Sequence, residues 1–155
     1  MKLGGIQAMN YRLLTTPILI TMLSVSCSLL GSGSRELRMT SSPDVPGAQG
    51  IATVSTTDDG NTKIDLVVKH LAPPENVNSG ATVYVVWVTD IESGAEAHNL
   101  GALKVDSDLN GKITAVTNMR SFELYVTAEP SQSSTHPTGN AVLKTNVAMN
   151  SVNEN

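Results

Sequence analysis

Residues 81–89 read ATVYVVWVT, and apolar or β-branched side chains occupy both faces of this run. Such residues favour strands, and a strand that is apolar on both faces belongs in the interior of a sheet. The stretch therefore predicts the central strand of an all-β domain. Trp87, the only tryptophan, is expected to fill the core at this strand, because aromatic residues make up only 3% of the chain.

Short apolar runs separated by turn residues lie on both sides of this central strand. Residues 62–71, for example, place Ile64, Leu66 and Val68 on one face, with Asp65 opposite. The other predicted strands are residues 51–56, 100–105, 112–118, 121–128 and 140–148. About seven strands over roughly 100 residues predict a two-sheet antiparallel β-sandwich, immunoglobulin-like, spanning residues 51–148.

The N-terminal 27 residues have the pattern of a secretory signal. Lys2 and Arg12 precede the apolar run at residues 13–25, and the run ends in LSVSC at 23–27, which resembles a bacterial lipobox. Cys27, the only cysteine, is the predicted lipidation site. The alternative is that residues 13–30 remain as an uncleaved signal anchor. Both interpretations predict a membrane-anchored protein of the bacterial cell envelope whose residues 35–155 lie outside the cytoplasm.

Residues 28–50 are rich in Gly, Ser and Pro and predict a flexible tether, and residues 149–155 form a polar tail. Residues 28–155 carry eight Lys or Arg and fourteen Asp or Glu, a net charge of −6. An acidic domain lacks the positive surface that a phosphate backbone requires. We therefore expect no nucleic-acid binding.

From Tyr84 onward the chain resembles the extracytoplasmic C-terminal domain of anti-sigma-K factors. The similarity is carried by YVVWV at 84–88, LGAL at 100–103, DSDLNG at 106–111, and the pair Glu129-Pro130 followed at the family's distance by PTG at 137–139. Gln132 and Ser133 stand where the family has two glycines. The similarity covers about residues 62–145.

This resemblance implies a sensory or interaction domain rather than an enzyme. About twelve residues precede the apolar run, so we expect no cytoplasmic sigma-binding domain. The long segment between the last two strands is the expected interaction surface toward an envelope protein partner. Its candidate residues are Glu129, Pro130, His136, Pro137, Thr138 and Gly139. The alternative functions are a structural or small-ligand- or metal-binding envelope lipoprotein, and an envelope hydrolase.

Residues 106–111 match the first half of a calcium-binding loop, with Asp106, Asp108 and Asn110 at its oxygen-ligand positions. Thr117 occupies the twelfth position, where a bidentate glutamate completes such sites, so an acidic turn is the better interpretation.

The three histidines, His70, His98 and His136, are widely spaced, whereas zinc sites need three or four converging ligands. The chain contains no Gly-x-Ser-x-Gly motif, although Glu129 and His136 could be imagined as a base and its orienting partner. We expect no catalytic residues, metal site or cofactor.

Overall fold

The computed structural model of the protein describes residues 33–149. The strands are β1 (Arg35–Arg38), β2 (Thr40–Ser41), β3 (Gln49–Thr56), β4 (Thr62–Lys69), β5 (Val83–Asp90), β6 (His98–Val105), β7 (Gly111–Thr117), β8 (Ser121–Glu129) and β9 (Ala141–Ala148). One short helix, α1 (Pro74–Val77), lies between β4 and β5. The all-β prediction is confirmed, and the seven predicted strands correspond to β3 through β9 with boundaries within two residues.

The described strands form one continuous antiparallel sheet rather than two separate sheets. Their order is β1-β3-β4-β7-β6-β5-β8-β9-β2. Residues 98–103 of β6 pair with β5, interrupted by one bulge, and its last two residues pair with β7, so this strand joins the two halves of the sheet. The sheet is therefore nearly barrel-shaped, a closure that the predicted two-sheet sandwich lacks.

The predicted flexible tether at 28–50 is wrong for residues 35–50. β1 pairs with β3 at one edge of the sheet, and β2 pairs with β9 at the other edge. Met39 separates β1 from β2, is buried, and donates its N–H to the Gly50 carbonyl over 2.9 Å. Val45 and Ala48 in the following turn are buried as well. These isolated apolar residues in a Gly- and Ser-rich stretch show no periodicity, so the sequence pattern did not reveal them.

The main core fills the space between the two halves of the sheet. In β8, Phe122, Leu124 and Val126 point into it, as their alternation predicts. Ile64, Leu66 and Val68 of β4 face them from the other half. The other fully buried large side chains of this core are Val54, Leu71, Tyr84, Leu103 and Leu143.

Both ends of the described chain lie at the same end of the domain. The guanidinium Nη1 of Arg35, at the start of β1, donates to the carbonyl of Ala148, at the end of β9, over 3.2 Å. The turn between β6 and β7 and the helix α1 lie at the opposite end, as the strand directions require.

None of the helices within residues 33–149 is long and apolar enough to cross a membrane. The predicted signal segment and Cys27 lie outside the described residues, as does the predicted tail beyond Met149.

Candidate functional site: the loop held over Trp87

β5 is buried on both faces, but its two faces contact different parts of the molecule. Tyr84, Val86 and Val88 point into the main core. Val85 and Trp87 point to the outer face of the sheet and are nevertheless fully buried. Trp87 is thus buried as expected, but in a separate layer outside the main core, and something on the outer face must cover it.

A chain of hydrogen bonds runs from Trp87 to a buried carboxylate. The indole Nε1–H of Trp87 donates to Thr127 Oγ1 over 2.8 Å, and Thr127 Oγ1 lies 2.6 Å from Glu129 Oε1. An indole nitrogen can only donate, so the threonine oxygen accepts there and its own proton goes to Glu129. The three side chains lie on one face because Thr127 and Glu129 are two residues apart in β8, beside β5.

Glu129 in turn holds the segment between β8 and β9. Its Oε1 accepts the backbone N–H of Thr138 over 2.9 Å, and its Oε2 accepts the Thr138 hydroxyl over 2.7 Å. The side chain is fully buried. Its carboxylate therefore joins the end of β8 to a residue nine positions later in the chain.

The pKa of Glu129 reflects two opposing effects. Burial alone would raise this pKa, because it disfavours the charged form. Hydrogen bonds from Thr127 and Thr138 to the carboxylate outweigh burial and hold the pKa below its ordinary value of 4.5. Glu129 is therefore ionised at neutral pH and can only accept hydrogen bonds.

A second attachment holds the same segment from the far side of β5. The amide Nδ2 of Asn99 in β6 donates to the carbonyls of Gln132 and Ser134 over 3.0 and 2.8 Å. Asn99 is the β6 residue paired with Trp87. Residues 130–140, which we call the 130–140 loop, thus run from β8 across β5 to β6 and cover Trp87.

The end of the loop fits closely against the helix region. Asn78 Nδ2 donates to the Ala128 carbonyl over 3.1 Å. A β-carbon at Gly139 would lie 3.0 Å from Asn78 Nδ2 and 3.1 Å from the Ala128 carbonyl oxygen. Gln132 and Ser133 do not have positive backbone φ angles. The loop therefore adopts its conformation without glycines at those two positions, while its end leaves little space for a side chain at 139.

The predicted interaction residues divide into two groups. Glu129 is buried, and Thr138 is bonded to it through its backbone and its hydroxyl. His136 is exposed, with its Nδ1 3.1 Å from the Thr135 hydroxyl. The base-and-orienter pairing of Glu129 with His136 is not formed, because the carboxylate is occupied by threonines. Ser131, Ser133 and Thr135 join His136 on the exposed side of the loop.

The calcium-like sequence at 106–111 forms the turn between β6 and β7. The Asp106 carboxylate accepts the backbone N–H groups of Asp108 and Asn110 over 3.0 and 2.9 Å, so it closes the turn on itself. Leu109 has a positive φ of 60°. Within residues 33–149, no cluster of three or more His, Cys, Asp or Glu side chains is suitable for a metal ion.

Thr127 and Asn99 connect Glu129 and the loop to the layer around Trp87, and neither was predicted from the sequence as a functional residue. The contact of Thr127 could have been predicted, because a threonine two residues before a glutamate in a strand lies on the same face as that glutamate. Asn99 gives no such signal, because its partners are backbone carbonyls more than 30 residues away.

No known protein-family model matches the chain, and a comparison with curated proteins found no match. The resemblance to the anti-sigma-K extracytoplasmic domain stays a prediction.

Proposed function

We propose that this protein is a non-enzymatic, membrane-anchored envelope domain for protein interaction or signalling, with the exposed side of the 130–140 loop as its recognition surface. The observation that supports this most is the two-point attachment of the loop, at Glu129 and at Asn99. A loop that is already ordered loses less conformational entropy when a partner binds.

The exposed groups of the loop are chemically suited to contacts with a polar protein surface. Ser131, Ser133 and Thr135 offer hydroxyls, and His136 offers an imidazole. Small hydroxyl side chains adapt their hydrogen bonding to a partner and lose little side-chain entropy when they bind. The loop thus combines a backbone held at two points with side chains that can adapt their hydrogen bonds.

The membrane anchor in this proposal rests on the sequence alone, through Cys27 and the preceding apolar run. Mass spectrometry of the mature N-terminus tests it directly. A diacylated or triacylated Cys27 supports the lipoprotein anchor. An intact, unmodified N-terminus contradicts it.

In-cell crosslinking with a photoreactive amino acid at position 136 tests the recognition surface. We expect one dominant crosslinked protein, lost when the loop is altered by Thr135→Ala together with Ser133→Ala. The matched control places the photoreactive group at Asn146, an exposed position on β9. Equal capture from positions 136 and 146, or none from 136, would contradict the proposed surface.

A further inference from the structure

β7 has an open edge over most of its length. It pairs with β4 from Gly111 to Thr117, but with β6 only through the pairs Lys104–Lys112 and Val105–Gly111. Beyond these two pairs β6 continues beside β5. Within the described part of the chain, residues 113–117 therefore have a neighbouring strand on one side only.

The phase of the backbone hydrogen bonds identifies the groups that face this open side. The Asp106 N–H donates to the Asn110 carbonyl over 2.8 Å, so these two residues form a hydrogen-bonded pair. Hydrogen-bonded and non-hydrogen-bonded pairs alternate along an antiparallel ladder. Lys112, Thr114 and Val116 consequently direct their N–H and C=O groups away from β4. The same alternation can be counted from the hydrogen bond that closes the turn between β3 and β4 and carried across β4 to β7. It also directs the N–H and C=O groups of these three residues away from β4.

The open edge lacks the features that protect the other edges of the sheet. Sheet edges are commonly protected by charged residues, by proline, by bulges or by short length. β1 has the sequence RELR and β2 has only two residues. Residues 113–117 read ITAVT, without a charge or a proline, and they pair with β4 in regular register.

A cleft of about 890 Å³ lies beside this edge, where β6 and β7 diverge. Ala102 and Thr114 lie on its two walls, at positions that would form the next hydrogen-bonded pair if the ladder continued. Ile113 also lines the cleft, and its side chain reaches to within 3.4 Å of the place where a β-carbon at Gly101 would lie. The cleft thus combines unpaired backbone groups with an apolar surface.

The charges that line the cleft favour an acidic occupant. Asp65 is paired with Lys63 over 2.8 Å, so the charges left on the lining are the carboxylate of Asp106 and two ammonium groups. Lys104 and Lys112 are exposed on neighbouring strands, and within residues 33–149 neither forms an ion pair. These two ammonium groups outnumber the one remaining carboxylate, and beside an open edge they are complementary to carboxylates on an added strand.

We propose that the open edge of β7 binds an extended, acidic segment of a partner protein by strand addition. In this mode main-chain hydrogen bonds to the edge provide affinity and side-chain contacts provide specificity. Thr114 and Val116 provide the backbone groups, Ile113 provides the apolar contact, and Lys104 and Lys112 bind carboxylates. The cleft shares no lining residue with the 130–140 loop, so this inference is independent of the proposed function.

Selection of short random peptides displayed on phage against the full-length chain tests this proposal. We expect the selected peptides to be rich in β-branched residues and in Asp or Glu. Val116→Pro removes only an outward N–H, and proline is tolerated at such edge positions; it should weaken binding roughly tenfold. Val116→Ala keeps the N–H and is the matched control, with a smaller loss expected.

Charge reversal provides a test that leaves the backbone unchanged. Lys104→Glu with Lys112→Glu should convert the selection from acidic to basic peptides, even if Val116→Pro does not fold. Peptides that bind the wild type and Val116→Pro equally well, or binding that His136→Ala abolishes instead, would overturn the proposal. So would an absence of selected peptides, or self-association of the chain through this edge.

Discussion

At the scale of single residues, Glu129 is the group on which the loop arrangement most depends. Glu129→Gln removes the negative charge and replaces one acceptor oxygen by an NH2 group, so the hydrogen bonds to Thr127 and Thr138 are no longer charge-assisted and at least one must reverse or break within a buried site. We expect a loss of about 1–3 kcal/mol in the free energy of unfolding, measured by urea denaturation. Glu123→Gln is the matched control on the same face of β8. The Glu123 carboxylate is partly exposed and forms a surface ion pair with Lys144 at 3.5 Å. The free energy of unfolding of this variant should therefore change by less than about 0.5 kcal/mol.

The lowered pKa of Glu129 also predicts how this difference varies with pH. Because the pKa is lower in the folded state, ionised Glu129 stabilises the fold above about pH 4.5, and that stabilisation is lost as the pH falls through the lower folded-state pKa. The free energies of unfolding of the wild type and of Glu129→Gln should therefore converge as the pH falls below about 4.5. Asp65 and Asp90 also have lowered pKa values, but they titrate in both proteins. Their contributions to the pH dependence therefore cancel in the difference between the wild type and Glu129→Gln. A difference that stays constant on acidification would contradict this assignment.

Trp87 reports on the same contacts spectroscopically. It is the only tryptophan and is fully buried, so its emission in the wild type should be that of an indole shielded from water. Gly139→Ala places a β-carbon close to Asn78 and the Ala128 carbonyl, which should loosen the end of the 130–140 loop. We expect a red shift of the emission and faster quenching by iodide. Gly47→Ala, where a β-carbon meets no atom within 4 Å, should leave the spectrum unchanged.

At the scale of elements, the N-terminal segment connects the two halves of the sheet. β1 and β2 pair with strands at opposite edges, and the single residue between them, Met39, packs against Gly50. Met39→Ala should reduce the free energy of unfolding by about 2–4 kcal/mol. Arg38→Ala, at the exposed neighbouring position, should have little effect on the urea midpoint. Similar losses for the two variants would show that Met39 does not join the two edges.

The elements also show what the sequence could predict. β3 through β9 follow from two signals: alternating apolar residues, as Phe122, Leu124 and Val126 in β8, and turn residues between strands, as at 106–111 between β6 and β7. β1, with the sequence RELR, is too charged to give such a pattern, and β2, with two residues, is too short. The sequence also could not predict that Trp87 points to an outer layer. A strand that is apolar on both faces does not reveal which face belongs to the main core.

At the scale of the whole molecule, the domain boundary is a testable quantity. The sequence predicts it at residue 51, whereas the first strand among the described residues begins at Arg35. A fragment of residues 33–149 should unfold in one cooperative transition, while residues 51–149, which lack both edge strands and Met39, should be markedly less stable. Urea denaturation of both fragments, followed by circular dichroism, measures the difference. Equal urea midpoints for the two fragments would support the domain boundary at residue 51.

The hydrogen bond between Arg35 and Ala148 brings both ends of the described chain together, and this determines which parts of the domain a partner could reach. If the chain is attached to a surface through the residues that precede Arg35, the turns next to this end face that surface. Strands of about eight residues span roughly 26 Å, so helix α1 and the turn between β6 and β7 stand about that much farther out. The cleft beside that turn would then open well above the attachment plane, accessible to a segment that approaches from the side.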